Sequence, residues 1–226
     1  MKLSKETVNI FKNFASINTN LLLTPDNKIA TRSAKKTVTG NVSVAETFPM
    51  EFGIYDLNEF LGALSLFSDP ELEFTDKYVT IKENNDQIKY YKAEKGVLIY
   101  QEKQITFPEV YIDFVLPSAV LNNVQRTAAV LHAEVVTIIG QNGELIVQVG
   151  KQKQEANSYI NVIGTTDKTF RANILIEHFK MLPMDYEVTL SARKISRFKS
   201  VNSDLVYHLA VEADSVFGWF LIETGV

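Results

Sequence analysis

The chain has 226 residues, of which 46% are hydrophobic and 22% charged, with 23 Lys and Arg against 27 Asp and Glu. This length and apolar content allow one large or two medium packed domains and exclude intrinsic disorder as the main state. The chain has no cysteine, which excludes disulfides and thiolate metal sites. No run of about 18 apolar residues is present, so the sequence predicts no membrane span.

Apolar residues at helical spacing predict four short helices, separated by segments that alternate as β-strands do. The first helix covers residues 4–16, with Ser4 as its N-cap. The second covers residues 57–67 and follows the capping residue Asp56. Basic and amide side chains share the polar side of the first helix or stand just before it. They are Lys2, Lys5, Asn9 and Lys12.

Two further helices are predicted in the second half of the chain. The third covers residues 118–131, with Ser118 as its expected N-cap and no acidic residue as far as position 133. The fourth covers residues 174–182 and is expected to begin after Asn173. The polar sides of these helices carry Asn122, Asn123 and Arg126 on the third, and His178 and Lys180 on the fourth.

Between the helices, the strongest strand signal is a hairpin. Asn142 and Gly143 separate two apolar, alternating runs, and this dipeptide tolerates the positive φ angles of a type I′ turn. Several other alternating segments predict further strands, which makes the chain a mixed α+β protein.

The same series of elements occurs twice. The caps Ser4 and Ser118 lie 114 residues apart (118 − 4), and Phe60 and Phe179, each in a predicted helix, lie 119 apart (179 − 60). A period of about half the chain indicates internal duplication. We therefore predict two similar domains, 1–102 and 118–226, joined by an apolar connector over residues 103–117.

Signatures of catalysis are missing from the sequence. There is neither a glycine-rich phosphate loop nor a Gly-x-Gly-x-x-Gly motif, and the three histidines show no ligand spacing. Glu212 and Asp214 are better explained as solvated surface than as a metal pair. The sequence therefore predicts no enzyme, no catalytic residue, no metal site and no cofactor. Near the C-terminus, Trp219 either anchors a partner or is buried in the core, and burial is the favoured interpretation.

Several short segments carry a family resemblance. They are residues 1–5, 12–15, 17–18, 54–58, 60–62, 64–66 and 212–215. On these segments the sequence resembles the sliding clamps of large tailed phages, which are DNA polymerase processivity factors. The resemblance covers the first third of the chain and its C-terminal region most specifically.

The resemblance implies a DNA clamp fold with two similar α+β clamp domains per chain. Three chains would close into a homotrimeric ring, with helices on the inner face and antiparallel sheets on the outer face. Ring closure requires sheet edges, for which the sequence suggests residues 78–83 and 195–201. The implied residues facing double-stranded DNA, without sequence preference, are Lys2, Lys5, Asn9, Lys12, Asn122, Asn123, Arg126 and Lys180.

The resemblance also implies protein partners in the cytoplasm of an infected host cell and no role at a membrane. An ATP-driven clamp loader would open the ring, and the replicative polymerase would dock its C-terminal peptide beside the connector. Late transcription factors are a further expected partner. The residues expected to bind the polymerase peptide are Val110, Tyr111 and Phe114.

Two other function classes remain open from the sequence. One is a β-rich phage structural or assembly protein without a DNA-binding role, because such proteins also use duplicated sheet domains. The other is a hydrolase whose site is assembled from distant residues. Taken one helix at a time, the polar sides are also explained as ordinary solvated surface.

Overall fold

The computed structural model describes residues 1–151 and 157–218. The chain folds as two compact units, Met1–Gln104 and Ile105–Val226. Each unit combines α-helix with antiparallel β-sheet, as predicted. Trp219 lies outside the described residues.

The first unit contains two α-helices and seven strands. Strand β1 pairs with β4, β2 pairs with β3, and β5, β6 and β7 form a three-stranded antiparallel ladder. The bounds are α1 Lys5–Ile17, β1 Leu21–Leu23, β2 Lys28–Arg32, β3 Val38–Ser43, β4 Phe52–Ile54, α2 Leu57–Ser65, β5 Glu71–Phe74, β6 Tyr78–Glu83 and β7 Asp86–Tyr91.

Both helices of the first unit begin where the sequence predicts. The Ser4 Oγ accepts a hydrogen bond from the Thr7 N–H at 3.2 Å, which caps α1. The Asp56 carboxylate caps α2 by accepting from the N–H groups of residues 58 and 59 at 2.9 and 3.3 Å. The rings of Phe11 and Phe60, with centroids 6.4 Å apart, join the two helices over the core.

The second unit contains one α-helix and nine strands among its described residues. One sheet has the order β11-β10-β9-β12-β16, and β8, β13, β14 and β15 pair in that order. The bounds are β8 Ile112–Leu116, α3 Ser118–Leu131, β9 Val135–Gln141, β10 Glu144–Gly150, β11 Tyr159–Thr165, β12 Phe170–Leu175, β13 Tyr186–Ser191, β14 Ile195–Ser200, β15 Val206–Ala210 and β16 Val216–Phe217.

The hairpin predicted at Asn142 and Gly143 joins β9 and β10. Their φ angles are 54° and 83°, so both residues adopt the left-handed conformation that this turn requires. The prediction of the hairpin is confirmed.

Strand pairing confirms the duplication. Seven strands follow α1 in the first unit. The first, β1, pairs with the fourth, β4, and the second, β2, pairs with the third, β3. The last three, β5, β6 and β7, pair in chain order. The seven strands after α3, β9 to β15, contain the same pairings, and β9 additionally pairs with β10. The two units therefore repeat one topology, although their helices differ.

The predicted fourth helix is wrong. Its first residues continue β12, and only a 3-10 turn, Ile176–His178, stands where the first unit has α2. Asn173 does not cap a helix, because it is buried in β12 and its side-chain oxygen accepts from the Thr137 hydroxyl at 3.0 Å. His178 is buried rather than solvent-facing. The spacing from Phe60 to Phe179 therefore does not mark a second helix.

The two strands suggested as sheet edges are interior strands. Strand β6, Tyr78–Glu83, lies between β5 and β7. Strand β14, Ile195–Ser200, lies between β13 and β15. Alternating apolar residues mark a strand with one buried face, and edge and central strands share this pattern.

Glu46 stabilises the first turn of α1 through hydrogen bonds. Its carboxylate accepts hydrogen bonds from the Ser4 N–H and from the Thr7 hydroxyl. Burial alone would raise the pKa of Glu46, but these hydrogen bonds hold it below its ordinary value. The stabilisation is therefore present above the unfolded-state pKa of about 4 and is lost as the pH falls through the lower folded-state pKa.

We expect Glu46→Gln to lower the free energy of unfolding by about 1 kcal/mol at pH 7, the usual value of a helix-capping interaction. The loss should shrink as the pH falls into the acid range, because the wild-type carboxyl then becomes protonated. Urea unfolding at several pH values measures both effects. The control, Glu109→Gln, changes an exposed carboxylate and should have little effect. A pH-independent loss would contradict this account of Glu46.

Candidate nucleic-acid interface

The exposed face of α1 is basic and polar. Lys5, Asn9 and Lys12 are exposed, whereas Phe11 and Phe14 on the opposite side are fully buried. The spacing of 5, 9 and 12 places the three polar side chains on one face of the helix. The position of this face is therefore fixed by the packing of the aromatic side.

Lys2 has different surroundings from the other cations of the predicted polar faces. Its ammonium group forms an ion pair with Asp69, and both side chains are exposed. The nearby carboxylate offsets the charge of Lys2. The structure therefore places Lys2 beside the start of α1 but with its own acidic neighbour.

The exposed face of α2 is polar without being basic. Asn58, Gly62 and Ser65 are exposed, and Glu59 is exposed beside them. This helix adds an amide and a hydroxyl group to the polar surface of the first unit, but no positive charge.

Helix α3 carries the corresponding face in the second unit. Asn122, Asn123 and Arg126 are exposed, and Leu121 and Val124 are buried beneath them. These three exposures agree with the helical spacing in the sequence.

The start of α3 differs from the sequence prediction. The helix begins at Ser118 itself, and the N-cap position is Pro117, which has no side-chain donor or acceptor. The Ser118 N–H instead donates to the Asp185 Oδ1 at 2.6 Å. The backbone and side-chain hydrogen bonds from Ser118 lower the pKa of Asp185.

Lys180 lies next to α3 although it is not in a helix. The side-chain amide of Gln125 donates to the carbonyl oxygens of Phe179 and Met181, each at 3.1 Å. These two bonds hold the backbone on both sides of Lys180 against α3. This anchoring role of Gln125 depends on a contact between residues that are distant in sequence.

The electrostatics of these faces are those of an acid-poor, amide-rich surface. Among residues 1–151 and 157–218, Lys5, Lys12 and Arg126 form no ion pair within 4.0 Å, whereas some other lysines do, such as Lys95 with Glu51 at 3.1 Å. Uncompensated cations and amide donors can hydrogen-bond phosphate oxygens. The arrangement suits contact with a polyanion.

Side chains that could bind a metal ion do not cluster in the described part of the chain. It contains no group of three or more His, Asp or Glu side chains placed to hold a metal ion. Asp214 accepts a hydrogen bond from the side-chain amide of Asn173 at 3.1 Å. Across the same residues, none of the helices has both the length and the apolar content needed to cross a bilayer.

The three residues predicted to bind a partner have different surroundings. Val110 is exposed. The Tyr111 ring packs against Phe217, with centroids 5.1 Å apart, and its hydroxyl donates to the Thr169 carbonyl oxygen at 3.1 Å. Phe114 is half-buried in β8, where it pairs with a residue of β13. Val110 is therefore the member most available to another molecule.

Phe107 is a connector residue that the sequence did not single out as functional. Its ring lies beneath the Arg197 guanidinium, with 5.0 Å from Cζ to the ring centroid, and 6.2 Å from the His208 ring. Burial, together with the charge of Arg197, lowers the pKa of His208 to about 4, so this histidine is neutral at pH 7. These contacts tie the connector to the sheet of the second unit.

The sequence of this chain is similar to those of known sliding clamps. Residues 4–100 match the family described as DNA polymerase processivity factor. The chain is 30% identical over 227 residues to the sliding clamp of Escherichia phage RB69, covering 95% of this chain and 98% of that protein. It is 29% identical over 225 residues to the sliding clamp of Enterobacteria phage T4, with coverage of 95% and 98%.

Solved structures of clamps share the fold at low sequence identity. The A. fulgidus PCNA bound to the C-terminal region of FEN-1 matches with a TM-score of 0.71 at 12% identity, covering 96% of this chain and 100% of that one. PCNA from Thermococcus kodakaraensis matches with a TM-score of 0.69 at 10% identity, covering 92% and 96%.

We expect Gln125→Ala to lower the free energy of unfolding by about 1–3 kcal/mol, because two hydrogen bonds are lost, each with a net value of about 0.5–1.5 kcal/mol. Hydrogen exchange at residues 179–181 should accelerate. Asn122→Ala is the matched control, since it removes an exposed amide from the same helix and should leave both measurements unchanged. Equal effects of the two variants would show that Gln125 does not anchor the segment.

Proposed function

Because the chain belongs to the phage sliding clamps, a family of DNA polymerase processivity factors, we propose that it closes with two further copies into a ring around duplex DNA. As a sliding clamp it tethers the DNA polymerase for processive synthesis. The observation that supports the encircling role is the acid-poor polar face that the helices present in both units.

The proposed DNA-facing surface consists of the side chains identified on the helix faces and next to them. Its cations would contact phosphate oxygens, and its amides would supply additional donors. Contacts of this kind carry no base information, so they can shift along the duplex with little change in energy. The proposed members are Lys2, Lys5, Asn9, Lys12, Asn122, Asn123, Arg126 and Lys180.

The proposed mechanism depends on topology more than on affinity. Three chains with two units each would supply six similar modules around a central hole. A closed ring of this kind remains on DNA without tight binding. A polymerase attached to it then stays at high local concentration near the primer end, which increases processivity. The overall charge of −4 is compatible with this arrangement, because the positive charge is needed on one face alone.

The proposed partners follow from family membership. Because a closed ring must be opened before DNA can enter it, we propose that an ATP-driven clamp loader opens this ring. We also propose that the ring acts in the cytoplasm of the infected host cell, where it additionally tethers late transcription machinery. The clamp itself would catalyse no reaction, since its family is a group of processivity factors.

The connector is the proposed docking site for the C-terminal peptide of the polymerase. Val110 exposes an apolar side chain there, and Tyr111 and Phe114 follow it in the chain with their rings partly accessible. A PCNA of the same fold binds the C-terminal region of another protein, FEN-1, which is a precedent for docking by such a peptide.

A β-rich phage assembly protein is the less favoured alternative. Such a protein has no need of helix faces that combine cations with amides and carry few acids. The similarity to sliding clamps extends over 95% of the chain, so it is not confined to one generic sheet domain. A hydrolase is disfavoured on the same ground.

We expect the triple variant Lys5→Glu, Lys12→Glu and Arg126→Glu to shorten processive synthesis by about tenfold or more. Loss of one hydrogen bond to a charged group already costs about 1.5–3 kcal/mol, and the new carboxylates would also repel phosphate. The measurement is product length in a primer-extension assay with loader and polymerase, together with sedimentation to confirm assembly.

The matched control reverses three exposed cations that lie off the helices. These are Lys28, Arg171 and Arg193, each changed to Glu. Product length should remain close to the wild-type value in this control. Equal loss in both triple variants would show that net charge, rather than the helix faces, determines DNA retention.

We expect Val110→Asp to weaken binding of a synthetic peptide with the C-terminal residues of the polymerase by about tenfold, the equivalent of one buried valine contact. Thermal stability should not change, because Val110 is exposed in the free chain. Val201→Asp, which changes another exposed valine, is the control. If Val110→Asp does not change the peptide affinity, the docking site does not include this part of the connector.

A further inference from the structure

The guanidinium of Arg197 is a half-buried charge without an acidic partner. Its Nη2 donates to the Thr189 hydroxyl at 3.1 Å, but its Nε is buried and has no hydrogen-bond partner among the described residues. Within those residues Arg197 also forms no ion pair within 4.0 Å, not even with Glu109 of the connector. A buried donor without an acceptor is unfavourable, so this guanidinium is suited to bind an anion.

The acidic residues on the same face of the sheet do not neutralise this charge. Strand register places four polar residues in one row across β8, β13, β14 and β15, namely Asp113, Thr189, Arg197 and His208. Asp113 is two strands away from Arg197, which corresponds to about 10 Å. Glu187, in the next row, is paired with Lys199 at 3.6 Å. Neither carboxylate therefore reaches the guanidinium.

The ring of Phe107 covers this charge. Its centroid lies 5.0 Å from the Arg197 Cζ and 6.2 Å from the centroid of the His208 ring. A cation over an aromatic face is attracted to it, but the ring leaves the Arg197 Nε without a hydrogen bond. Burial, together with the charge of Arg197, lowers the pKa of His208 to about 4, so the site carries one positive charge at pH 7.

The connector around Phe107 has few bonds to hold it in place. None of residues 105–110 lies in a helix or strand, and none hydrogen-bonds to another described residue. Regular bonding resumes at Tyr111, whose N–H donates to the Leu190 carbonyl oxygen at 2.8 Å. Segments with few hydrogen bonds open at a low cost in free energy. Phe107 can therefore leave Arg197 while β8 stays in place.

We propose that Arg197 binds a carboxylate of the docked partner peptide and that Phe107 is a displaceable cover of this site. The inference rests on the proposed docking of the C-terminal peptide of the polymerase and specifies its chemistry. On docking, the ring of Phe107 moves off the guanidinium, and the carboxylate accepts hydrogen bonds from Nε and one Nη atom. A peptide supplies this group from its C-terminus or from an Asp or Glu side chain.

Three forms of one synthetic peptide, the C-terminal residues of the polymerase, test the inference. The first has a free terminal carboxylate, the second a terminal amide, and the third Asn or Gln in place of each Asp or Glu. Fluorescence anisotropy measures their dissociation constants. The second or the third should bind about tenfold more weakly than the first, because a charge-assisted pair is lost, and the weaker form identifies the source of the carboxylate. Equal affinities of all three forms would overturn the inference.

Arg197→Gln shows whether the loss belongs to this guanidinium. In this variant the three peptides should bind equally, and comparing peptides on one variant cancels any change in its stability. Arg197→Lys keeps the charge and should retain part of the difference. The control Arg193→Gln removes an exposed cation between β13 and β14 and should retain all of it. A full difference in Arg197→Gln would place the carboxylate elsewhere and overturn the assignment.

Phe107→Ala tests the cover. The apparent affinity of a covered site is reduced to the fraction that is uncovered, so this variant should bind the free-carboxylate peptide about threefold or more tightly. The control Ile105→Ala shortens another half-buried apolar side chain of the connector and should not. In the wild-type chain the NMR signals of the His208 ring should shift when the peptide binds, because the neighbouring ring leaves. Weaker binding by Phe107→Ala would show that the ring supports docking and would disprove the cover.

Val110→Asp separates this inference from the proposed docking site. Weaker binding of the peptide by that variant, together with equal affinities of the three peptides for the wild-type chain, would leave the docking site intact and disprove the carboxylate site. No binding of any peptide to the wild-type chain would disprove both.

Discussion

A helix that packs on a sheet buries one stripe of its side chains and leaves the opposite stripe in solvent, and this constraint determines where the cations of this chain stand. In α1 the buried stripe includes Phe11 and Phe14, which are fully removed from water. Rotating the helix to bury Lys12 would expose these rings and leave a charge without hydration. The aromatic core therefore positions the polar face, and the same holds for α3 through Leu121 and Val124.

Features coded by neighbouring residues could be predicted from the sequence. The caps at Ser4 and Asp56 and the turn at Asn142 depend on local hydrogen bonds or local φ angles. The prediction of the fourth helix was wrong because the structure of that segment depends on residues that are distant in sequence. Residues from 174 onward are apolar enough for either a helix or a buried strand, and Ile174 is held in β12 by pairing with Val136, which is distant in sequence.

In the candidate site, too, some features follow from local sequence and others depend on distant residues. Exposure of Lys5, Asn122 and Arg126 follows from helical periodicity alone. By contrast, Lys180 reaches the side of α3 through two bonds from Gln125, which no periodicity encodes. The connector was the least predictable part, because an apolar residue there is equally suited to a docking surface and to packing. Tyr111 packs against a ring that lies more than 100 positions along the chain.

The distribution of ion pairs fits a protein that must hold DNA without fixing its position. Lys95 and Lys199 each have a carboxylate partner, at 3.1 and 3.6 Å, whereas in the described ranges Lys5, Lys12 and Arg126 have none within 4.0 Å. An exposed ion pair contributes little stability, so such pairing mainly cancels charge where it is not needed. Lys5, Lys12 and Arg126 therefore keep their charge on the helix faces. A small number of weak, sequence-independent contacts suffices when a closed ring prevents escape, and a larger number would slow sliding.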